Sequence, residues 1–402
     1  EINTRGRRGT LHGVPIAIKD IIDVEGMATT AHSRIAASRR AQSDADVVRR
    51  LRDAGAIIIG KTALHEFATG GPSFDLPWPP ARNPWLLSHH PGGSSSGSAV
   101  AVAARMAPGA IGTDTAGSVR HPATACGMVG LKPTYGVVSR RGVFPLSFSL
   151  DHVGPLARTV ADCTAIYRAI VGHDPLDPTS TTHRGVEESP EAGIRGLRLG
   201  VLQEFGERAD PEIRAAFDSA LTVLKDLGAQ IVPLDILPLD IYAGCGRLII
   251  QAESYAVHEE WLATRHREYG KRTRTRLLAG GLVDAASYIK AQQLRRRLQQ
   301  DFLQAMQGVD AAVCVSSLAL PCQIDDETEI DSTYDRQART PFNVTGTPAI
   351  SIPIGFASNG LPIGMQVAGR SFDEAMILRV AGAYEAATAW HKIEPALPDI
   401  TR

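Results

Sequence analysis

The stretch PGGSSSGSAV, residues 91–100, places four serines among three glycines, directly before a run of small apolar residues. A Gly/Ser-rich composition is typical of a flexible linker. However, residues 98–107 predict a helix that starts inside this stretch, so the segment runs straight into secondary structure. We therefore interpret the glycines as allowing tight turns and a close approach of the backbone to a ligand.

The same stretch also fits a nucleophile elbow, because residues 93–97, GSSSG, match the pattern G-x-S-x-G with Ser95 at the centre. An elbow requires a strand that runs directly into the first glycine. Residues 81–93, ARNPWLLSHHPGG, have the composition of a loop, and no late histidine is clearly placed to complete a triad. Ser95 is therefore not the favoured nucleophile.

A second apparent motif is GAIIIGKT, residues 55–62, which fits the phosphate-loop pattern G-x-x-x-x-G-K-[ST]. A phosphate loop needs a polar, glycine-rich backbone between a strand and a helix. Here a predicted helix precedes the motif, and the apolar residues 56–59 predict a buried strand instead. Nucleotide binding at this stretch is an outside alternative, and Lys61 is interpreted as an ordinary surface or loop lysine.

Composition and charge limit the function classes. The 402 residues include 42 Lys+Arg and 43 Asp+Glu, so the net charge is −1 and gives no argument for binding nucleic acid or membranes. The five cysteines have no C-x-x-C spacing, which argues against a disulfide framework and a cysteine-based zinc site. With no long apolar run, we expect a cytoplasmic protein that uses no metal or cofactor. The chain begins at Glu1 rather than Met, so we expect an N-terminal helical part to be missing.

Predicted strands and helices alternate along the chain. Residues 13–21 alternate apolar side chains and predict a strand, whereas residues 210–228 predict a helix with Asp at its cap and Gly at its end. Asn359-Gly360 stands between two apolar runs and is a strong hairpin signal. The pattern predicts an α/β fold in which helices surround a sheet that is mixed rather than wholly parallel.

Three segments, taken in order, resemble the amidase signature family. They are GVPIAIKD at 13–20, the Gly-Gly-Ser-Ser loop within 91–100, and GTDTAGSVRHPA at 112–123. The long segment GLKPTYGVVSRRGVFPLSFSLDHVGPLART at 130–159 is also similar to the core of that family. The combination is long enough to be specific.

The resemblance covers residues 9–175 and 338–392 strongly and residues 190–337 weakly. It implies one amidase signature domain over residues 1–402, in which the weakly covered region shapes the substrate site. The implied fold is α/β, with a large mixed β-sheet core flanked by α-helices on both sides.

In that family a serine nucleophile, a bridging serine and a lysine base form a catalytic triad. Carried over by motif, the resemblance implies Ser118 as nucleophile, Ser94 as proton bridge and Lys19 as base, with a cis peptide bond before the bridging serine. Lysine acts as a base only when it is neutral, and burial lowers its pKa because desolvation disfavours the charged form. Lys19 ends an apolar strand, which suits burial. The alternative is an exposed lysine paired with Asp20 or Asp23.

The resemblance also implies that the turn 115–118 supplies the backbone N–H groups of an oxyanion hole. Many members have two glycines before the nucleophile, whereas this chain has Ala116. Because alanine disfavours φ > 0, we expect either a negative φ at this position or a slightly reshaped turn. Asp114 and Arg120 flank the nucleophile and are expected to pair and fix the loop. The predicted contributors to the hole are Thr115, Ala116, Gly117 and Ser118.

Two departures from the usual family sequence bear on the substrate pocket. His121 stands where an aliphatic residue is more usual, and residues 70–85, GGPSFDLPWPPARNPW, bring Phe74 and Trp78 into a segment that is often Gly/Asn-rich. As pocket residues, these three would suit an apolar acyl or leaving group. Alternatively, the two aromatic rings only pack the loop.

We therefore predict an amidohydrolase that cleaves a carbon–nitrogen bond other than a peptide bond, through an acyl-enzyme on Ser118. The predicted partner is a small-molecule amide, aryl amide or carbamate, with no nucleic acid and no membrane, and a homodimer is an option. The alternative is the glutamine-hydrolysing A subunit of an aminoacyl-tRNA amidotransferase, which would need partner subunits. An inactive binding protein is disfavoured because all three triad residues are present.

Overall fold

The computed structural model describes residues 6–7, 9–182 and 193–396 of the chain. Within them, ten strands join in one sheet, and their bounds are β1 (Pro15–Lys19), β2 (Ile57–Thr62), β3 (Gly109–Asp114), β4 (Val129–Lys132), β5 (His152–Ala157), β6 (Arg198–Val201), β7 (Gln230–Pro233), β8 (Ala311–Val315), β9 (Ala349–Phe356) and β10 (Pro362–Ala368). Their order across the sheet is β2-β1-β3-β5-β4-β9-β10-β8-β6-β7. The division of the chain into domains and the missing N-terminal part stay predictions.

The sheet is mixed, as the sequence predicts. β1 runs parallel to β2 and β3, whereas β5 is antiparallel to β3. β9 and β10 form the predicted antiparallel hairpin. Gly360 in its turn has a φ of +82°, a conformation that glycine adopts at low cost.

The α-helices among the described residues are α1 (Asp46–Asp53), α2 (Ser96–Ala103), α3 (Arg120–Ala125), α4 (Val160–Ile170), α5 (Gln203–Glu207), α6 (Pro211–Asp226), α7 (Leu239–Arg265), α8 (Lys271–Gly280), α9 (Ala285–Ala305), α10 (Glu327–Asp335), α11 (Thr340–Val344) and α12 (Glu374–Ala386). None of these helices has both the length and the apolar character needed to cross a membrane.

Helices pack on both faces of the sheet. Successive residues of a strand point to opposite faces. Ile16 and Ile18 of β1 belong to the larger apolar cluster, which includes residues of α1 and α4, whereas Ala17 belongs to a second cluster with residues of α2 and α3. The predicted architecture of a mixed sheet with helices around it is confirmed.

The fold brings the predicted catalytic segments together at one edge of the sheet. β1 and β3 are parallel neighbours, so their carboxyl ends meet at the same edge. Lys19 is the last residue of β1 and Asp114 is the last residue of β3. The turn that carries Ser118 therefore begins beside the lysine, and α2, which follows the Gly/Ser loop, packs against both strands.

The phosphate-loop-like stretch forms β2 at one edge of the sheet, and its backbone pairs with β1. Ile57 and Ile59 are 53% and 48% exposed, so the prediction of a buried strand over 56–59 was wrong on this point. Alternate side chains of an edge strand can point to solvent. Lys61 is mostly buried rather than a surface lysine, and its Nζ lies 2.7 Å from Asp20 Oδ1. A paired strand cannot wrap a phosphate, which excludes the nucleotide-binding alternative at this stretch.

Candidate active site

Lys19 is fully buried at the end of β1. Its Nζ donates hydrogen bonds to Ser94 Oγ at 2.8 Å and to Thr113 Oγ1 at 2.7 Å. The nearby carboxylates of Asp20 and Asp23 pair with other cations. The exposed, ion-paired lysine that the sequence left open is therefore not what the fold produces.

Burial decides the charge of Lys19. Desolvation lowers its pKa from the ordinary value of 10.5 to about 7, although the carboxylates of Asp114 and Asp151 act in the opposite direction. A substantial fraction of this side chain is therefore neutral near pH 7. A neutral amine can accept a proton, which is the property that a lysine base requires.

The Gly/Ser loop presents Ser94 to Lys19. The Gly93-Ser94 peptide bond is cis, as the resemblance implies. Ser95 bonds to β3 instead: its Oγ donates to the carbonyl of Thr113 and accepts from the N–H of the same residue, both at 3.2 Å. These two bonds fix Ser95 against the strand, which agrees with its rejection as the nucleophile.

Ser118 lies in the turn between β3 and α3. The N–H of Ser95 donates to the Ser118 carbonyl at 3.2 Å, which ties the two serine loops together. Asp114 accepts bonds from three backbone N–H groups of the turn, at 2.8, 3.1 and 3.3 Å, and from the Arg120 guanidinium on both of its oxygens at 3.1 Å. Burial alone would raise the pKa of Asp114, but Arg120 holds it well below its ordinary range. The expected pairing that fixes the loop is confirmed.

The backbone amides of the turn are not equivalent. The N–H of Gly117 donates to Asp114 Oδ1 at 2.8 Å, so this residue is removed from the predicted oxyanion hole. The N–H groups of Ala116 and Ser118 have no acceptor in the described part of the chain. The left-handed φ of +114° falls on Gly117, and Ala116 adopts no positive φ. The turn therefore accommodates alanine without the strain that a positive φ would impose.

Ser94 and Ser118 line one cavity of about 340 Å³. Thr115 and Ala116 lie beside them, and α7, α8, α10 and residues 337–340 supply much of the remaining lining. That remaining part is polar and charged, and it includes Arg247, Gln251, Ser254, Arg276, Asp331 and Arg339.

Only one of the three predicted pocket residues, His121, lines this cavity. Phe74 is 54% exposed, with the Arg82 guanidinium 6.0 Å from its ring centroid. Trp78 packs against His32, with the ring centroids 5.8 Å apart. The prediction that these two aromatic residues form an apolar pocket was wrong, because the contacts of their own loop hold them away from the cavity.

Several residues at the site were not singled out from the sequence. Thr113 accepts a bond from Lys19, and the Thr115 hydroxyl donates to Asp151 at 2.6 Å. Thr113 lies within the quoted segment 112–123, beside the nucleophile turn, so attention to the strand that leads into that turn would have found it. Arg276 and Asp331 lie in the weakly covered region, where no local motif marks them.

Comparison with known proteins identifies the family. A family model described as Amidase matches residues 1–378. The curated A subunit of glutamyl-tRNA(Gln) amidotransferase from Roseiflexus sp. (strain RS-1) is 40% identical, covering 98% of this chain and 86% of that protein. The solved structure of the glutamyl-tRNA(Gln) amidotransferase A subunit from Thermotoga maritima has a TM-score of 0.86 at 35% identity, covering 98% of this chain and 88% of that one. Native peptide amidase from Stenotrophomonas maltophilia has a TM-score of 0.81 at 34% identity, covering 99% and 86%.

These similarities correct the predicted partners. A small-molecule amide or carbamate, with no nucleic acid, was expected, but the curated relative is named as one subunit of an enzyme that carries glutamyl-tRNA(Gln) in its name. The near-neutral net charge was a poor guide, because the charge of one chain does not determine what an assembly of chains binds. The glutamine-hydrolysing A subunit, which was the alternative, fits the relatives better than the main prediction. The match over residues 1–378 and the identity across nearly the whole chain establish that this protein belongs to the amidase signature family of enzymes that hydrolyse C–N bonds.

Proposed function

We propose that this chain is the glutamine-hydrolysing A subunit of a glutamyl-tRNA(Gln) amidotransferase and releases ammonia for transfer within that complex. The observation that carries the proposal is the 40% identity to a protein of that name over 98% of the chain. The solved structure of the same name, with its TM-score of 0.86, supports it. A tRNA-directed activity also agrees with the expected location in the cytoplasm, where charged tRNA is used.

In the proposed mechanism Lys19 is the base, Ser94 the proton bridge and Ser118 the nucleophile. The 2.8 Å hydrogen bond from Lys19 to Ser94, and the cavity that both serines line, support this order. Neutral Lys19 takes the hydroxyl proton of Ser94 while Ser94 takes that of Ser118. The Ser118 oxygen then attacks the amide carbon, so one C–O bond forms and one proton comes to rest on Lys19.

The tetrahedral intermediate carries its negative charge on the former carbonyl oxygen. The N–H groups of Ala116 and Ser118 are the proposed donors to that oxygen, because the described part of the chain leaves them without an acceptor. Collapse breaks the C–N bond, and Lys19 returns its proton through Ser94 to the departing nitrogen, which leaves as ammonia. Water then uses the same relay to hydrolyse the ester on Ser118, which yields glutamate and restores the serine.

The charged part of the cavity lining suits a free amino acid. Glutamine carries an α-carboxylate and an α-ammonium, and both need partners when they leave water. Arg247, Arg276 and Arg339 bring positive charge to the lining, and Asp331 brings a carboxylate. An uncharged aryl amide would gain nothing from these groups.

The second candidate is an amidase that works without partner subunits. The likeness to native peptide amidase, at a TM-score of 0.81 and 34% identity, favours it. The same three catalytic side chains would serve it, because hydrolysis of an amide needs no transfer step. The two candidates differ in whether glutamine is the substrate and whether other subunits are required.

Release of glutamate from glutamine tests the proposal, measured for the chain alone and with the other amidotransferase subunits of its own organism. We expect hydrolysis that increases with those subunits and disappears in Ser118→Ala. Ser96→Ala is the matched control, because this buried hydroxyl lies in the same loop but does not line the cavity, and activity should stay within about twofold. Hydrolysis of a peptide amide by the chain alone, with no glutamine hydrolysis under any condition, would move the assignment to the second candidate.

A further inference from the structure

Three buried histidines surround the loop that carries Ser94. His65, His90 and His121 are 3%, 0% and 4% exposed and come from three separate segments of the chain. The rings of His65 and His90 stack at 5.4 Å between centroids, and the rings of His90 and His121 lie 5.6 Å apart. The described residues contain no group of side chains that could hold a metal ion, so these rings are not a metal site.

Each histidine contacts a different residue of the loop. His90 Nδ1 accepts the N–H of Gly92 at 3.2 Å. The His121 ring donates to the backbone carbonyl of Gly93. The backbone N–H of His65 donates to the carbonyl of Ser94 at 3.2 Å. Three consecutive residues that end at Ser94 are therefore each held by one histidine.

The His65 ring also packs directly on the loop. A Cβ atom added to Gly93 would lie only 2.0 Å from His65 Cε1, so the ring occupies the place of a side chain. No larger residue fits at Gly93 unless His65 moves. The ring thus limits where the Gly93 backbone can lie, and with it the position of the next residue, Ser94.

The hydrogen bonds define the charge state of the cluster. Because His90 Nδ1 accepts a backbone N–H, its proton is on Nε2, which lies 3.4 Å from His65 Nε2. His65 Nε2 is then the acceptor. Desolvation by burial lowers the pKa of His90 to about 3 and holds those of His65 and His121 well below the ordinary value. A second proton would place two donors against each other, so the contacts require neutral rings.

We propose that His65, His90 and His121 are positioning residues that hold the Gly92–Ser94 backbone so that Ser94 Oγ stays aligned between Lys19 and Ser118. The inference rests on the proposed function only for the role of Ser94 as a proton bridge. Because His65 and His121 also line the cavity, they could instead contact substrate. The two roles differ in effect: positioning changes the reactivity of Ser118 toward any electrophile, whereas substrate contact changes KM for one substrate.

The test is the rate at which a small fluorophosphonate labels Ser118 in the intact chain, because this reaction needs an activated serine and no glutamine site. His121→Leu removes the donor to Gly93, and we expect labelling to slow by about 30- to 100-fold, as a small misplacement of a catalytic group costs. His121→Gln keeps an N–H donor and should label within about fivefold of the wild-type rate. His89→Leu is the matched control, since this histidine lies in the same loop and does not contact residues 92–94.

Thermal unfolding of each variant separates positioning from loss of the fold. If His121→Leu does not fold, His65→Phe decides the question, because it keeps a ring against Gly93 but removes the acceptor of the His90 proton, and labelling should slow about tenfold. Wild-type labelling in whichever of these variants is folded would overturn the proposal, as would a rise in KM for glutamine alone. A chain that labels rapidly but never hydrolyses glutamine would contradict the proposed function and leave the positioning role supported.

Discussion

The active-site cavity joins two regions that are built differently. The catalytic region, Lys19, Ser94 and Ser118, lies at the ends of β1 and β3 and in the loop before α2. The charged region, Arg276 and Asp331, lies on α8 and α10. Lys19 is fully buried, whereas the side chains of Arg276 and Asp331 are 36% and 60% exposed.

The difference indicates a division of labour. Neighbouring strands of one sheet fix their ends to each other, and buried hydrogen bonds then fix the reacting groups, which is what rate depends on. Helices outside the sheet can change their side chains without disturbing that geometry. We therefore expect substitutions in the catalytic region to change kcat and substitutions in the charged region to change KM.

The largest effect is expected from Lys19→Met, which keeps the length of the side chain and removes the base. We expect kcat/KM for glutamine to fall by roughly a thousandfold, the scale of general base catalysis. Thermal unfolding should occur at the same temperature or higher, because burying an ionisable amine costs free energy. Activity close to that of the wild type would remove Lys19 from the mechanism.

The charged region is tested by Arg276→Met, which removes a cation whose guanidinium donates to Asp331 at 2.9 Å. We expect KM for glutamine to rise by about 10- to 100-fold, the value of a hydrogen bond to a charged group, with kcat within about threefold. Arg274→Met on the same helix is the control, since Arg274 does not line the cavity. A fall in kcat at unchanged KM would break the division between the two regions.

Thr113→Val sharpens the account of Lys19. Thr113 Oγ1 accepts a hydrogen bond from the lysine at 2.7 Å, which favours the charged amine. Without it the pKa of Lys19 falls further below about 7, so the rising limb of kcat/KM against pH should move to lower pH. Thr164→Val, a helical threonine of α4, should leave the profile in place. A shift toward higher pH would contradict the assignment of Lys19 as the group that must lose its proton.

The smallest effect is expected from Phe74→Ala and Trp78→Phe. Neither aromatic residue lines the cavity, so kcat and KM should both stay within about twofold of the wild-type values. Steady-state kinetics of each variant with glutamine is sufficient. A tenfold change in KM would restore the apolar pocket that the sequence suggested.

The catalytic region was predictable because its residues stand in continuous motifs. Lys19, Ser94 and Ser118 each lie in a short segment that resembles the family, and the strand pattern of residues 13–21 already predicts a lysine at a strand end. The structure adds what spacing cannot give, namely that the Gly117 N–H is taken by Asp114. A turn drawn from sequence shows four amides but not which of them points inward.

The charged region could not be predicted, because its residues meet only in the folded chain. Arg276 and Asp331 are 55 positions apart and lie on two helices that no local pattern connects. The error at Phe74 and Trp78 has the same origin, since a loop that is close in sequence to the bridging serine can still pack away from the cavity. Edge exposure of Ile57 and Ile59 likewise depends on the strand order, which the sequence pattern leaves undetermined.

The central claim is that Ser118, activated through Ser94 by Lys19, is the nucleophile. Mass spectrometry of peptides from the fluorophosphonate-treated chain tests it most directly, in the wild type and in Lys19→Met. We predict a single adduct on Ser118 in the wild type, formed at least about a hundredfold more slowly in Lys19→Met. An adduct on Ser94 or Ser95, or equal labelling of Ser118 in both proteins, would contradict the account.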